Sequence, residues 1–248
     1  MLARRDGVRI TFIAGAPALF SECLKNICHV KKLPFHRVLH PPMGPNGDEQ
    51  DYLYELTAQR SVPTMLPPSD IEDVRPRNVW LEQLMLAEEL GEGVALVPND
   101  MSTRVQMFGL LNEVLGIGGF IWNKRHMLNP EPSAFATKYG WSAEALAAAP
   151  GRVVEVLELM DGLLEANATS KYLLGGDSIT ALDVYWATAI YIVAFPPESI
   201  MPTTDMTSRF RAMFTQSNTP EITAAVTDRL IAHRDYIVTT YCECPIVN

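Results

Sequence analysis

The 248-residue chain is poor in cysteine, poor in basic charge and without a long apolar run. Four cysteines, Cys23, Cys28, Cys242 and Cys244, are too few to staple a chain this long, which fits a reducing, cytoplasmic setting. Their spacings, five apart and C-x-C, are not the C-x-x-C of zinc knuckles or redox sites. Lys and Arg number 20 against 29 Asp and Glu, a net charge of −9. That balance disfavours nucleic acid, which is gripped through phosphates, and a polybasic membrane patch. No apolar run reaches the ~18–20 residues of a spanning helix. His29, His36, His126 and His233 lack neighbours at metal-ligand spacing, so no metal is expected. Arg4 and Arg5 precede an apolar stretch from Ile10 to Phe20. Asp6 and Arg9 break the leader-like pattern and no small-x-small site follows, so a buried first strand is the reading.

What is present is ordinary globular material, 48% hydrophobic and 20% charged, enough for one large or two small domains. Val8 to Ala14 is β-branched and apolar, a buried strand. Phe20 to Val30 has a helical face of Phe20, Cys23, Leu24, Ile27 and Cys28. Leu33 to Leu39 suits a second strand, and His40 to Gln50, with three prolines and two glycines, a loop. A short helix is expected over Asp51–Ala58, strands at Val62–Leu66 and Ile71–Val74, and a helix from Asn78 to Leu90. Gly91-Glu92-Gly93 and Pro98-Asn99-Asp100 mark a linker. Beyond it every pattern is helical or loop. Met107 to Ile121 reads as one helix, kinked or closely packed at Gly116, Gly118 and Gly119. Val153, Val156, Leu157, Met160, Leu163 and Leu164 form the cleanest amphipathic stripe. Thr180 with Asp183 reads as a capping box opening a helix through Ala194. Thr219-Pro220-Glu221 opens a last helix through about Tyr236.

Three segments, in this order, resemble the cytosolic glutathione S-transferase family. Ser61-Val62-Pro63-Thr64-Met65 is similar to the family's x-V-P-x-L, whose proline is cis. Leu96-Val97-Pro98-Asn99-Asp100 through Arg104-Val105 is similar to its entry to the helical domain. Tyr172-Leu173-Leu174-Gly175-Gly176-Asp177 through Asp183 resembles its core capping segment, shifted by one residue. The resemblance spans nearly the whole chain. It implies a thioredoxin-like N-terminal α/β domain over residues 1–90, a linker over 91–100 and an all-α C-terminal domain over 101–248. It also implies a homodimer, and glutathione as co-substrate, with no nucleic acid or membrane partner.

By that resemblance, Val62 and Pro63 present the backbone edge that pairs with a peptide ligand. His40, after the second strand, falls where the family touches the glycyl carboxylate. The sequence departs in two places. The positions of the thiol-activating residue fall on Ala18, Leu19 and Phe20, none of which donates from its side chain. Ser21 is the nearest hydroxyl and the candidate catalytic residue, with a helix cap as its other reading. Arg77-Asn78 stands where the family has Glu-Ser to hold the γ-glutamyl group. Asn78 can donate to a carboxylate, whereas Arg77 repels an ammonium, unless it is only a solvated helix-start residue. Asp70, Glu72 or Asp73 are possible substitutes for the missing acid. Phe20, Phe108 and Trp122, with Tyr185 and Trp186, are candidate walls of a hydrophobic substrate pocket, against the alternative that they are core. The function implied is attack of a glutathione thiolate on a hydrophobic electrophile: conjugation, isomerisation, ether cleavage or dehalogenation. The alternative is a non-catalytic binder on the same fold.

Overall fold

A computed structural model describes residues 6–40, 51–59 and 61–246. The chain divides into two compact units, one running to Ala95 and the other starting at Leu96. The first holds β1 (Val8–Ile13), α1 (Leu19–Val30), β2 (Phe35–His40), α2 (Asp51–Thr57), β3 (Met65–Leu66) and α3 (Trp80–Leu90). Its sheet has the order β2-β1-β3. β1 pairs in parallel with β2, Val8 opposite Phe35 and Ile13 opposite His40. β3 runs antiparallel on the other side, with Met65 opposite Ile10. Central β1 is buried from Val8 to Phe12, and its two polar residues are buried with hydrogen bonds: Arg9 donates to the Pro67 carbonyl and the Thr11 hydroxyl accepts from the Thr64 N–H. The loop expected over His40–Gln50 lies, beyond His40, outside the described residues.

α1 packs on α3 and is buried almost all round; it carries an ion pair between Glu22 and Lys25 at 2.5 Å, each 2% exposed. It ends where Lys32 turns left-handed at φ 52° and the Leu33 N–H reaches back to the Cys28 carbonyl. The Gly91-Glu92-Gly93 segment closes over this end. The Gly93 N–H donates to the Lys31 carbonyl, and a Cβ on Gly93 would stand 2.1 Å from the Val30 carbonyl oxygen. Close approach, rather than linker flexibility, demands glycine there.

Two strand expectations are corrected. Val62–Leu66 forms a ladder only at Met65–Leu66, and Ile71–Val74 is not a strand. Arg77 instead makes an isolated antiparallel bridge, exchanging both main-chain hydrogen bonds with Met65. α3 starts at Trp80, capped by Val79 rather than Asn78.

Among its described residues the second unit is entirely helical: α4 (Met101–Leu115), α5 (Phe120–Leu128), α6 (Ala134–Lys138), α7 (Ala143–Ala166), α8 (Ala181–Ala189), α9 (Asp205–Gln216), α10 (Pro220–Ala225) and α11 (Asp228–Tyr241). All nine residues of α8 are buried; α8 packs against α4 and α11 and runs on into a short 3-10 turn, Ile190–Ile192, instead of continuing to Ala194. The predicted capping box is formed by Thr180 and Asp183. The stripe Val153, Val156, Leu157, Met160 and Leu164 is the buried face of α7. The helix expected across Met107–Ile121 is two helices. Gly118 takes φ +77°, and a Cβ on Gly119 would lie 2.6 Å from the Glu113 carbonyl, so the chain breaks rather than kinks. The expectation that no apolar stretch is long enough to span a membrane is also corrected. Met101–Leu128 meets that length and composition, but half of its apolar window is buried inside the protein and Gly116–Gly119 divides it. The last expected helix is likewise divided, with Thr227 capping α11.

One buried charge in this unit sets a pH dependence. Lys124 of α5 is fully buried, and its ammonium donates to the Asn218 Oδ1 at 2.7 Å. Burial pulls its pKa down to about 8. A base whose folded pKa lies below its unfolded value weakens the fold while both states are protonated, and the weakening fades as pH rises through 8 toward the unfolded value. Relative to Lys124→Met, the protein is expected to gain about 1–3 kcal/mol between pH 8 and pH 10. Urea midpoints of both proteins across that range test this; parallel curves would refute it.

Candidate functional site

The strand register of the first unit gathers the expected site residues at one end of the sheet. Ile13, the last residue of β1, faces His40, the last of β2. β3 runs the other way, so Pro63 and Val62 lead into it from that same end. The Thr64 N–H donates to Thr11 Oγ1 at 2.7 Å, and the Thr11 N–H to the Thr64 carbonyl. The Arg77 bridge to Met65 then directs Asn78 and the start of α3 toward this end as well. α1 begins there, just after β1.

Each predicted residue has a definite state. Ser21 is 1% exposed in the first turn of α1, and its Oγ has no hydrogen-bond partner. Ala18 is the N-cap and no side chain caps the helix, which corrects the cap reading of Ser21. The Ala18 N–H is taken by the Ala16 carbonyl, and the Glu22 N–H by the Ala18 carbonyl. The helix's own i→i−4 bonding therefore starts at Glu22. Val62-Pro63 is cis, as expected. The half-buried Val62 makes no main-chain hydrogen bond with any described residue. His40 is 7% exposed with an unpartnered Nε2, and burial lowers its pKa. Asn78 is half-buried, and its Oδ1 is also unpartnered.

Arg77 is not a solvated helix-start residue. It is 7% exposed, and its guanidinium turns into its own loop, donating to the Arg75 and Asp73 carbonyls and pairing with the Asp73 carboxylate at 3.0 Å. Arg75 grips the same carboxylate with both Nε and Nη2, and chiefly this hydrogen bonding holds Asp73 down at about 2. Asp73 is thus already neutralised by two arginines and is a poor ammonium acceptor. Asp70 and Glu72 are exposed.

Gln83 was not singled out from the sequence. It is 3% exposed on α3, and its amide donates to the Pro63 and Arg77 carbonyls, both at 3.0 Å. One side chain thus fixes both loops of the expected site. The available signal was a polar residue on the buried face that α3 shares with Leu84 and Ala87.

The expected hydrophobic walls separate. Phe20 is half-buried beside Ser21 in the first unit. In the second, Phe108 is half-buried on α4, and half-buried Trp122 of α5 stands edge-on to Tyr139 with Arg125 over both rings. Tyr185 and Trp186 are core: they are 1% and 0% exposed, and Trp186 packs on Phe120.

The fold these elements define is that of glutathione transferases. A glutathione S-transferase domain-containing protein of Marinobacter aquaeolei superimposes with a TM-score of 0.61 at 13% identity, over 94% of this chain and 98% of its own. A glutathione transferase family member from Pseudomonas fluorescens, solved with two glutathione molecules bound, gives 0.56 at 14% identity over 94% of each chain. A glutathione S-transferase from Methylobacillus flagellatus with glutathione bound gives 0.56 at 11% identity, over 88% of this chain and 98% of its own. No family model and no curated protein matches the sequence. At such identities the likeness defines the fold alone.

Proposed function

We propose that this sheet end binds glutathione and presents its thiolate to a hydrophobic electrophile. One observation carries the reading: Ser21, His40 and Asn78, three expected ligand contacts, each hold a buried polar side-chain atom without a partner among the described residues. Buried polar groups are normally hydrogen-bonded, so three orphans at one end of a sheet favour a polar ligand. In this reading the Val62 main chain pairs with the cysteinyl residue in the manner of a strand, beside Pro63. His40 Nε2 and the Asn78 amide meet the ligand's terminal groups. The sulfur faces the first turn of α1, where the helix dipole favours an anion. Arg77 fixes the adjoining loop and leaves the ligand's ammonium without an acid. Phe20, half-buried beside Ser21, is assigned to the electrophile. The near-complete closure of Ser21 favours a second reading, a non-catalytic binder.

Calorimetry with glutathione is expected to show saturable, millimolar binding, weak because the ammonium has no acceptor. A glutathione analogue methylated at the cysteinyl amide nitrogen should bind at least roughly tenfold more weakly, having lost a strand-type hydrogen bond. Absence of binding would sink the reading. Binding without turnover of a generic electrophile would leave the binder.

Apolar side chains exposed on α3, Leu81 at 40% and Met85 at 46%, lie one turn apart; so do Met101 at 67% and Val105 at 64% on α4. These faces support a homodimer, since exposed apolar patches are commonly covered by a partner. Sedimentation should give a dimer that Leu81→Glu with Met85→Glu converts to a monomer; a monomeric unmodified chain would refute this. Its place is the cytoplasm, in keeping with four cysteines that are all thiols.

A further inference from the structure

The second unit contains a cavity of about 320 Å³ between the C-terminal end of α7 and α11, unrelated to the sheet end described above. Leu164, Ala168 and Ala232 form its apolar wall, with Lys171, His233 and Tyr236 beside them. The volume is that of a small-molecule site.

Its polar groups differ in what they have left to offer. Arg229, also at the cavity, is engaged by the Asp161 carboxylate at 2.9 and 3.0 Å and approached by Glu165. Lys171 has no carboxylate partner among the described residues; its ammonium stands 4.6 Å from the centre of the Tyr236 ring. His233 is 6% exposed and its Nε2 faces the Asp183 carboxylate at 3.1 Å, so Nε2 carries the proton. The other ring nitrogen, Nδ1, is buried and has no partner. In the neutral ring it is an acceptor awaiting a donor. A cation with no carboxylate beside it, a ring nitrogen with no partner among the described residues and apolar walls together describe the complement of one kind of molecule.

We infer that this cavity is a second ligand site, taking a small organic acid with an apolar body and a hydrogen-bond donor. The carboxylate meets Lys171, the ring or alkyl body lies along Leu164, Ala168 and Ala232, and a hydroxyl or N–H reaches His233 Nδ1. No bond is made or broken; the site binds.

The test uses the full chain and 3-(4-fluorophenyl)-2-hydroxypropanoate as probe, followed by fluorine NMR. Saturable binding is expected in the submillimolar range, unchanged by saturating glutathione. Lys171→Met should weaken it roughly tenfold, the scale of one charge-assisted contact, and the neutral amide of the probe should lose about as much. Ala232→Phe, which fills the cavity from an exposed helix position, should abolish binding while leaving the thermal midpoint near that of the parent. No saturable binding at millimolar probe overturns the inference. So does binding that is equal in the parent, Lys171→Met and Ala232→Phe, since the acid would then sit elsewhere. The glutathione reading has its own calorimetric test and stands or falls separately.

Discussion

Asp183→Ala should lower the stability of the helical unit by about 3–5 kcal/mol, the scale of removing one partner from a buried charged network. Asp183 is wholly buried. One carboxylate oxygen accepts from the Leu173 N–H at 2.8 Å and meets His233 Nε2 at 3.1 Å; the other accepts from the Thr180 N–H and the Thr180 hydroxyl, each at 2.8 Å. Alanine strands four polar groups at the start of the most buried helix, and each buried orphan costs about 1–3 kcal/mol. Asn keeps the shape but turns an NH₂ toward at least one donor, so Asp183→Asn should fall between the parent and alanine. Urea unfolding of the three proteins measures this. A loss under about 1 kcal/mol in Asp183→Ala would mean that water replaces the carboxylate and that the box is not buried as described.

The same residue separates what is legible in the chain from what is not. Thr180 and Asp183 stand three apart, and their side-chain chemistry leaves a cap as the natural reading. Their partner His233 lies 50 residues on, and no local pattern connects it. β1 was readable from its β-branched and apolar residues, and the stripe of α7 because its burial repeats with the helical period. The strand expected at Ile71–Val74 failed because polar groups win locally: Arg75 and Arg77 close the loop onto Asp73, and only the Arg77 main chain reaches the sheet. Gly116, Gly118 and Gly119 read as a kink or a close contact; the close contact is there, in the carbonyls that crowd Gly119, but helix propensity counts only the cost of glycine and does not foretell the break. Of the proposed site, His40, Val62, Pro63 and Asn78 are named by likeness of segments, and Ser21 as the nearest hydroxyl where that likeness fails. The sequence did not supply Gln83, whose role depends on two loops meeting over one helix. Nor did it show that Arg77 is spent on its own loop, which depends on the direction of a side chain.

Ser21→Ala is the substitution that decides whether Ser21 has a catalytic part. The Oγ of Ser21 has no partner in a position that is 1% exposed, so its removal breaks no hydrogen bond. Deleting an unsatisfied buried hydroxyl costs little stability and can add some. Ser21→Ala should therefore melt at or slightly above the parent's midpoint. If the hydroxyl turns toward the sulfur when glutathione is bound, it stabilises the thiolate, and its loss should cut turnover of a generic electrophile by about one to three orders of magnitude, the scale of one well-placed donor. The apparent pKa of the bound thiol, read from the thiolate absorbance, should rise in the same variant, a signature that damage to folding would not produce. If turnover and thiol pKa both stay at the parent's values, Ser21 has no catalytic part, and the start of α1 acts on the sulfur through its dipole.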